Sequence, residues 1–190
     1  MPNAVDNEFS TVDILLNSDA ETRGVDAFVI SWVKFERQLR RINGNLIFQH
    51  SALKEKHSED REAVRRALLA KRTANHDKFI AGIRKLSGVN VNDLIGPRYR
   101  ALKRDVDRAH KYRQKIFHGQ QTGNSLTREQ LINSIDSIRE WCALLAAGSI
   151  DTLGYDGFSK NSLQKNGRPE ITQAVDKGVA AGWEKFIKDL

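Results

Sequence analysis

The sequence predicts an all-α fold: an antiparallel helical bundle with extra helices at both ends. Apolar residues recur at steps of three and four over long stretches, whereas no alternation of apolar and polar residues exceeds four residues. Pro is scarce at 3 residues and Gly moderate at 13, which disfavours a turn-rich β fold. The length of 190 residues suits one domain, so we treat 1–190 as a single helical domain.

The clearest helix signal lies between residues 25 and 46, where one apolar stripe steps by three and four. Its members are Val25, Phe28, Val29, Trp32, Phe35, Leu39, Ile42 and Leu46. This spacing places them on one side of a long helix. Gly44 indicates either a break in that helix or a close contact with another one.

Further helices follow along the chain. Residues 51–75 are charged but rich in helix formers, with a helix start expected near 58–60. A shorter helix is predicted over about 76–86, ended by Gly88. Gly96 and Pro97 open a helix that runs to about 118, with Tyr99, Leu102, Val106, Ala109 and Ile116 on one stripe.

The C-terminal third starts with a local signal. Thr127 followed by Gln130 has the pattern of a capping box, so a helix is expected from there to about 148. Residues 151–169 lack a regular period and predict a long loop, and a last helix is expected over 171–190. Cys142, Trp32, Trp141 and Trp183 fall on or beside apolar stripes, which predicts core positions for them.

The composition argues against several kinds of site and partner. A single cysteine excludes a disulfide within the chain and a cysteine-based metal cage, and favours a cytoplasmic setting. No stretch approaches the roughly 18 apolar residues of a membrane span, and residues 1–13 lack the pattern of a signal peptide, so no membrane partner is expected. The net charge of +7 is compatible with a polyanionic partner but does not identify one.

Most of the excess charge lies on one predicted helix. Residues 98–118 hold eight basic and two acidic residues, so this segment carries 8 − 2 = +6. A solvated helix face is the simplest alternative explanation of such a run. Arg113, however, stands in line with the apolar stripe, so its charge needs a carboxylate, a phosphate or a cavity. It is therefore either half of a structural ion pair or a positioned anion binder. His118 comes at the end of the same helix.

The sequence gives little support for a metal site or a phosphate-binding loop. The five histidines, His50, His57, His76, His110 and His118, show no metal-binding spacing with nearby carboxylates. His110 is expected on an ordinary polar helix face. No glycine-rich phosphate loop is present. We therefore expect neither a metal nor any other cofactor.

The segment RQKIFH at 113–118 resembles the Arg-x4-His signature of HEPN-domain proteins. Gln114 stands where that family has a polar residue, and the resemblance covers about 97–148. The family is all-α, with four or five helices, and often dimeric. The resemblance implies a metal-independent endoribonuclease, a homodimer with a composite active site, in a toxin or antiviral defence role with a cognate antitoxin or other partner protein.

Site roles follow from the same resemblance. His118 would act as general acid or base, Arg113 would hold the scissile phosphate, and Gln114 would orient the site. Arg108, Lys111 and Lys115 would bind flanking RNA phosphates. The products would be a 2′,3′-cyclic phosphate and a 5′-hydroxyl. The alternatives are a non-catalytic HEPN-like module that binds RNA or a protein, and a helical domain whose basic helix docks an acidic partner.

Overall fold

The computed structural model describes residues 4–53, 62, 64, 75–119, 126–159, 168–180, 182, 183 and 185. Over these residues the chain is helical and contains no strand, which confirms the all-α prediction. The helices are α1 (Ala4–Leu16), α2 (Arg23–Ile47), α3 (His76–Ser87), α4 (Val91–Ile95), α5 (Tyr99–Phe117), α6 (Arg128–Leu153) and α7 (Pro169–Gly178). Two 3₁₀ turns, Ser51–Leu53 and Gly96–Arg98, connect them.

The core is built around α2 and α6, which form the most extensive helix pair. The predicted stripe of α2 faces the core, with Val25 and Val29 only partly buried, and the Phe35 ring meets Trp141 of α6 edge to face at 5.9 Å. Trp32, Trp141 and Cys142 are core residues as predicted, and Trp183 packs against the core while partly exposed. Burial raises the pKa of the Cys142 thiol, which favours an inert, protonated packing residue. The remaining helices pack around this pair, α5 chiefly on α6.

Local sequence signals set several helix ends. Thr127 and Gln130 form the predicted capping box: the Gln130 amide donates to Thr127 Oγ1 at 3.2 Å, and the Thr127 amide donates to Gln130 Oε1 at 3.0 Å. Asn75 caps α3 with a single bond, because its Oδ1 accepts from the Lys78 amide at 3.1 Å. Gly88 ends α3 with φ of +74°, a left-handed conformation that costs glycine little.

Some boundaries differ from the prediction. No helix was expected over residues 4–16, yet α1 forms there because Val5, Phe9 and Val12 share a buried face. α6 extends to Leu153 rather than 148, so the predicted loop shortens at its start. Of the helix expected from 58–60, only Glu62 and Val64 are described; both are helical, and Val64 is buried. The last helix, predicted over 171–190, begins at Pro169 and is interrupted after Gly178; Trp183 and Lys185 are again helical, and residues 181, 184 and 186–190 lie outside the described part of the chain.

Two helix-interior glycines have opposite surroundings. α2 continues through Gly44 without a break, and a Cβ added there would meet nothing within 4 Å, so neither expectation for Gly44 holds. The close helix contact occurs at Gly148 of α6. A Cβ there would overlap the Leu94 carbonyl oxygen of α4 and lie 2.8 Å from the carbonyl carbon. Only a glycine lets α4 lie this close to α6.

Candidate nucleic-acid interface and active site

α5 has an inner and an outer face. Leu102, Val106 and Ala109 are buried on the inner face. The outer face carries five exposed cations at steps of four and three, which we call the cation stripe: Arg100, Arg104, Arg108, Lys111 and Lys115. At 1.5 Å per residue this stripe is about 22 Å long. The predicted phosphate binders Arg108, Lys111 and Lys115 all lie on it.

Two of the other three cations of the basic segment are neutralised. Arg98 makes two hydrogen bonds to the Glu140 carboxylate, at 2.7 and 2.8 Å. Lys103 contacts Asp77 and Asp107. Within the stripe, Arg108 lies 3.4 Å from Asp105, and no other member has a carboxylate within 4 Å among the described residues. The positive charge is thus concentrated on the outer face. Arg100 and Arg104 extend it beyond the residues that sequence reasoning named, although their four-residue step was visible.

Arg113 lies on the inner face, beyond the buried part of the stripe. It is half-buried, and its Nε is buried without a hydrogen-bond partner. The guanidinium lies 4.5 Å from the centre of the Phe117 ring, which is itself 56% exposed. No carboxylate of the described part of the chain pairs with Arg113. A structural ion pair, one of the two alternatives for this residue, is therefore not seen among the described residues.

His118 is exposed and directly follows α5. Its amide donates to the Gln114 carbonyl at 3.0 Å, so the last turn stays wound through Phe117. Gly119 then leaves the helix with φ of +57°. At 100° per residue, positions 113 and 118 start their side chains about 140° apart, whereas His118 is in line with the cation stripe. One chain therefore directs the predicted catalytic pair to different sides of the helix end.

The predicted Gln114 connects Arg113 to a cluster of rings. Arg113 Nη1 donates to Gln114 Oε1 at 3.4 Å, and Gln114 Nε2 lies 3.1 Å from His110 Nε2. The His110 ring stacks on Trp32 of α2, with centroids 5.5 Å apart and planes 17° apart. It also meets His76 of α3 edge to face at 4.9 Å. His110, expected on a polar helix face, is thus a half-buried member of an aromatic cluster.

His76, Asp77 and Asp107 bring three metal-ligand types together, with their ligand atoms within 4.8 Å of one another. Lys103 Nζ, however, lies 3.0 Å from Asp77 Oδ1 and 2.5 Å from Asp107 Oδ1, the same oxygens that face His76 Nε2 at 3.5 Å. The ammonium already neutralises both carboxylates. A metal ion would have to displace Lys103, so this cluster is an ion-pair network.

A pocket of about 140 Å³ lies between α5 and α6, beside Arg108. Its polar lining is largely engaged: Ser134 Oγ donates to the Gln130 carbonyl at 2.8 Å, and Ser137 Oγ to the Asn133 carbonyl at 2.9 Å. Tyr112 closes one side. The pocket borders the cation stripe and adds no unpaired buried group.

Comparison with known proteins gives no matching family model, curated protein or solved structure. Fold and site therefore define this chain only as a helical protein with a basic surface helix. None of the described helices combines the length and apolar character needed to cross a membrane.

Proposed function

We propose that the chain is a metal-independent endoribonuclease of the HEPN type. The observation that supports this most is Arg113: a half-buried guanidinium with an unpartnered Nε and no paired carboxylate among the described residues. A partly buried cation without a counter-ion is unfavourable, and an RNA phosphate would supply the missing charge. The Phe117 ring stacks on the guanidinium and restricts its movement, which favours a planar, bidentate contact with a phosphate.

The reaction would use the 2′-hydroxyl of the RNA as nucleophile. His118, exposed at the end of α5, takes the proton of that hydroxyl while the 2′-oxygen bonds to phosphorus and the P–O5′ bond breaks. Histidine suits this role because it exchanges protons near neutrality. Water supplies the proton that the departing 5′-oxygen takes up, and Arg113 stabilises the charge on the phosphate oxygens. The products are a 2′,3′-cyclic phosphate and a 5′-hydroxyl.

Two copies of the chain would be needed to complete this site. Since Arg113 and His118 start about 140° apart on one helix, a second motif facing the first brings one group of each kind to a shared phosphate. The exposed Phe117 ring offers apolar surface for such pairing, next to both residues. A homodimer with a composite active site is therefore part of the proposal, as is a role in a toxin or defence system with a cognate partner protein.

The cation stripe would guide the RNA to the reacting groups. His118 comes 18 residues, or five full turns, after Arg100, so the stripe and His118 share one side of α5. An RNA strand whose phosphates contact Lys111 and Lys115 would reach His118 next. Binding through phosphates alone carries no sequence information and depends strongly on salt.

The test is cleavage of end-labelled single-stranded RNA in the presence of EDTA. We expect cleavage by the parent chain, loss of at least 100-fold in rate for His118→Ala and Arg113→Ala, and cyclic phosphate on the 5′ fragment. Arg104→Ala is the matched control. Arg104 lies two and a half turns before Arg113 and therefore on the opposite face of α5, so the variant should lose affinity for RNA but keep the cleavage chemistry. RNA binding without cleavage would favour the non-catalytic module, and inhibition by EDTA would refute the metal-free mechanism.

A further inference from the structure

The hydrogen-bonding roles around Gln114 can be assigned from donor and acceptor chemistry alone. A guanidinium has only donors, so the Gln114 atom that faces Arg113 must be the amide oxygen, at 3.4 Å. The amide nitrogen, also a donor, then faces His110 Nε2 at 3.1 Å. His110 Nε2 must therefore be an unprotonated acceptor. The imidazole is neutral in this arrangement, and its proton lies on Nδ1.

We infer that His110 is a positioning residue for Arg113, acting through Gln114, and that protonation of His110 releases the guanidinium. An imidazolium presents a proton at both nitrogens, so its Nε2 would face the Gln114 nitrogen donor to donor. Turning the amide over satisfies the imidazolium but directs the nitrogen at Arg113. Gln114 can therefore hydrogen-bond to neutral His110 and to Arg113 at the same time, or to charged His110 without Arg113.

The surroundings of His110 fix its ring. The imidazole therefore cannot rotate to keep Gln114 bonded to both His110 and Arg113 after protonation. Trp32 of α2 covers one face of the ring, and its indole nitrogen donates to Glu36 at 3.0 Å. His76 of α3 covers an edge. Burial lowers the pKa of His76, which keeps that neighbour uncharged near neutrality.

The charged groups near these two rings are already matched with one another. They are Asp77 from α3 and Lys103 and Asp107 from α5, with Arg113 on the far side of Gln114. The Lys103 ammonium bridges both carboxylates, so neither is a free counter-ion for an added charge on His110. Gln114 is then the group that responds when His110 gains a proton.

The link to RNA rests on the proposed function, but the positioning itself can be measured without RNA. The experiment is long-range ¹H–¹⁵N NMR of histidine-labelled protein from pH 5 to 8. We expect the Nδ1–H tautomer for neutral His110 in the parent chain. In Gln114→Glu, a carboxylate accepts from both neighbours, so the midpoint of the His110 titration should rise by about one pH unit or more. Gln114→Ala is the control that removes both bonds and adds no charge. An Nε2–H tautomer in the parent, or an unchanged midpoint in Gln114→Glu, overturns the inference.

A second arm connects the positioning to ligand binding. In a His118→Ala background that does not cut, His110→Phe keeps a ring on Trp32 but removes the acceptor. We expect it to weaken binding of single-stranded RNA several-fold, and to cost nothing further once Arg113 is already alanine. If His110→Phe weakens RNA binding by the same factor with and without Arg113→Ala, the positioning role is contradicted. Absence of any RNA binding would refute the proposed function alone, because the tautomer measurement decides the inference by itself.

Discussion

Replacing Gly148 with alanine should destabilise the protein although alanine is the better helix former. The added methyl would overlap the Leu94 carbonyl oxygen and lie 2.8 and 2.9 Å from the carbonyl carbon and Cα. These are backbone atoms of α4 and cannot rotate away, so α4 and α6 must separate. Overpacking of this kind costs about 1–3 kcal/mol, against a helix-propensity gain of about 1 kcal/mol. Because the methyl overlaps a backbone oxygen, the cost lies in the upper part of this range, and we expect a net loss of about 1–2 kcal/mol in the free energy of unfolding.

Gly44→Ala is the matched control, because Gly44 is also inside a helix and its added methyl meets nothing within 4 Å. Alanine there should raise the free energy of unfolding by about 0.5–1 kcal/mol through propensity alone. The assay is urea unfolding followed by circular dichroism. With a slope near 2 kcal/mol per molar urea, the two midpoints should differ by about 1 M. Equal shifts in the same direction would refute the assignment of Gly148 as the point of closest helix approach.

Two further predictions concern charge and pH. If five stripe cations bind single-stranded RNA, the slope of log K against log salt is about −0.7 × 5 = −3.5, a loss of about 100-fold in affinity between 50 and 200 mM salt. The double variant Lys111→Ala with Lys115→Ala should reduce that loss to about 20-fold, as measured by fluorescence anisotropy. Lys78→Ala, at an exposed lysine of α3, is the control and should leave the salt dependence unaltered. Equal slopes for the double variant and the control would contradict the role of the cation stripe. The second prediction follows from the burial that lowers the pKa of His76. The unfolded chain then binds the proton first, so this contribution to stability is complete above about pH 6.5 and is lost as pH falls below it. Urea unfolding at pH 7.5 and 5.5 should show a lower free energy of unfolding at 5.5, and His76→Phe should reduce the difference; a parent profile that is flat over this window would disprove the effect.

The sequence was informative where structure depends on neighbours along one helix. The Thr127 and Gln130 capping box and the Gly88 helix end are local rules, and both formed as predicted. Spacing alone predicted the buried stripes of α2 and α5. It could not show which glycine faces another helix, because Gly44 and Gly148 differ only in what lies across from them.

The candidate site was predictable to a lesser extent, for a related reason. The position of Arg113 in an apolar stripe and the charge of α5 are both readable from spacing. The stacking of His110 on Trp32 joins residues 78 positions apart, so helix periodicity assigned His110 to a polar face instead. Whether Arg113 and His118 serve one phosphate depends on a second copy of the chain, and a single helix does not determine how two copies pair.

The salt concentration sets how far from the cation stripe a polyanion is attracted to this protein. At 0.15 M salt an exposed charge is screened beyond about 8 Å, well short of the stripe's extent of about 22 Å, so a nucleic acid must already be near α5 to be attracted. At 0.01 M salt the screening distance grows to about 30 Å and exceeds the stripe. The rate of association with a polyanion then rises steeply in dilute buffer.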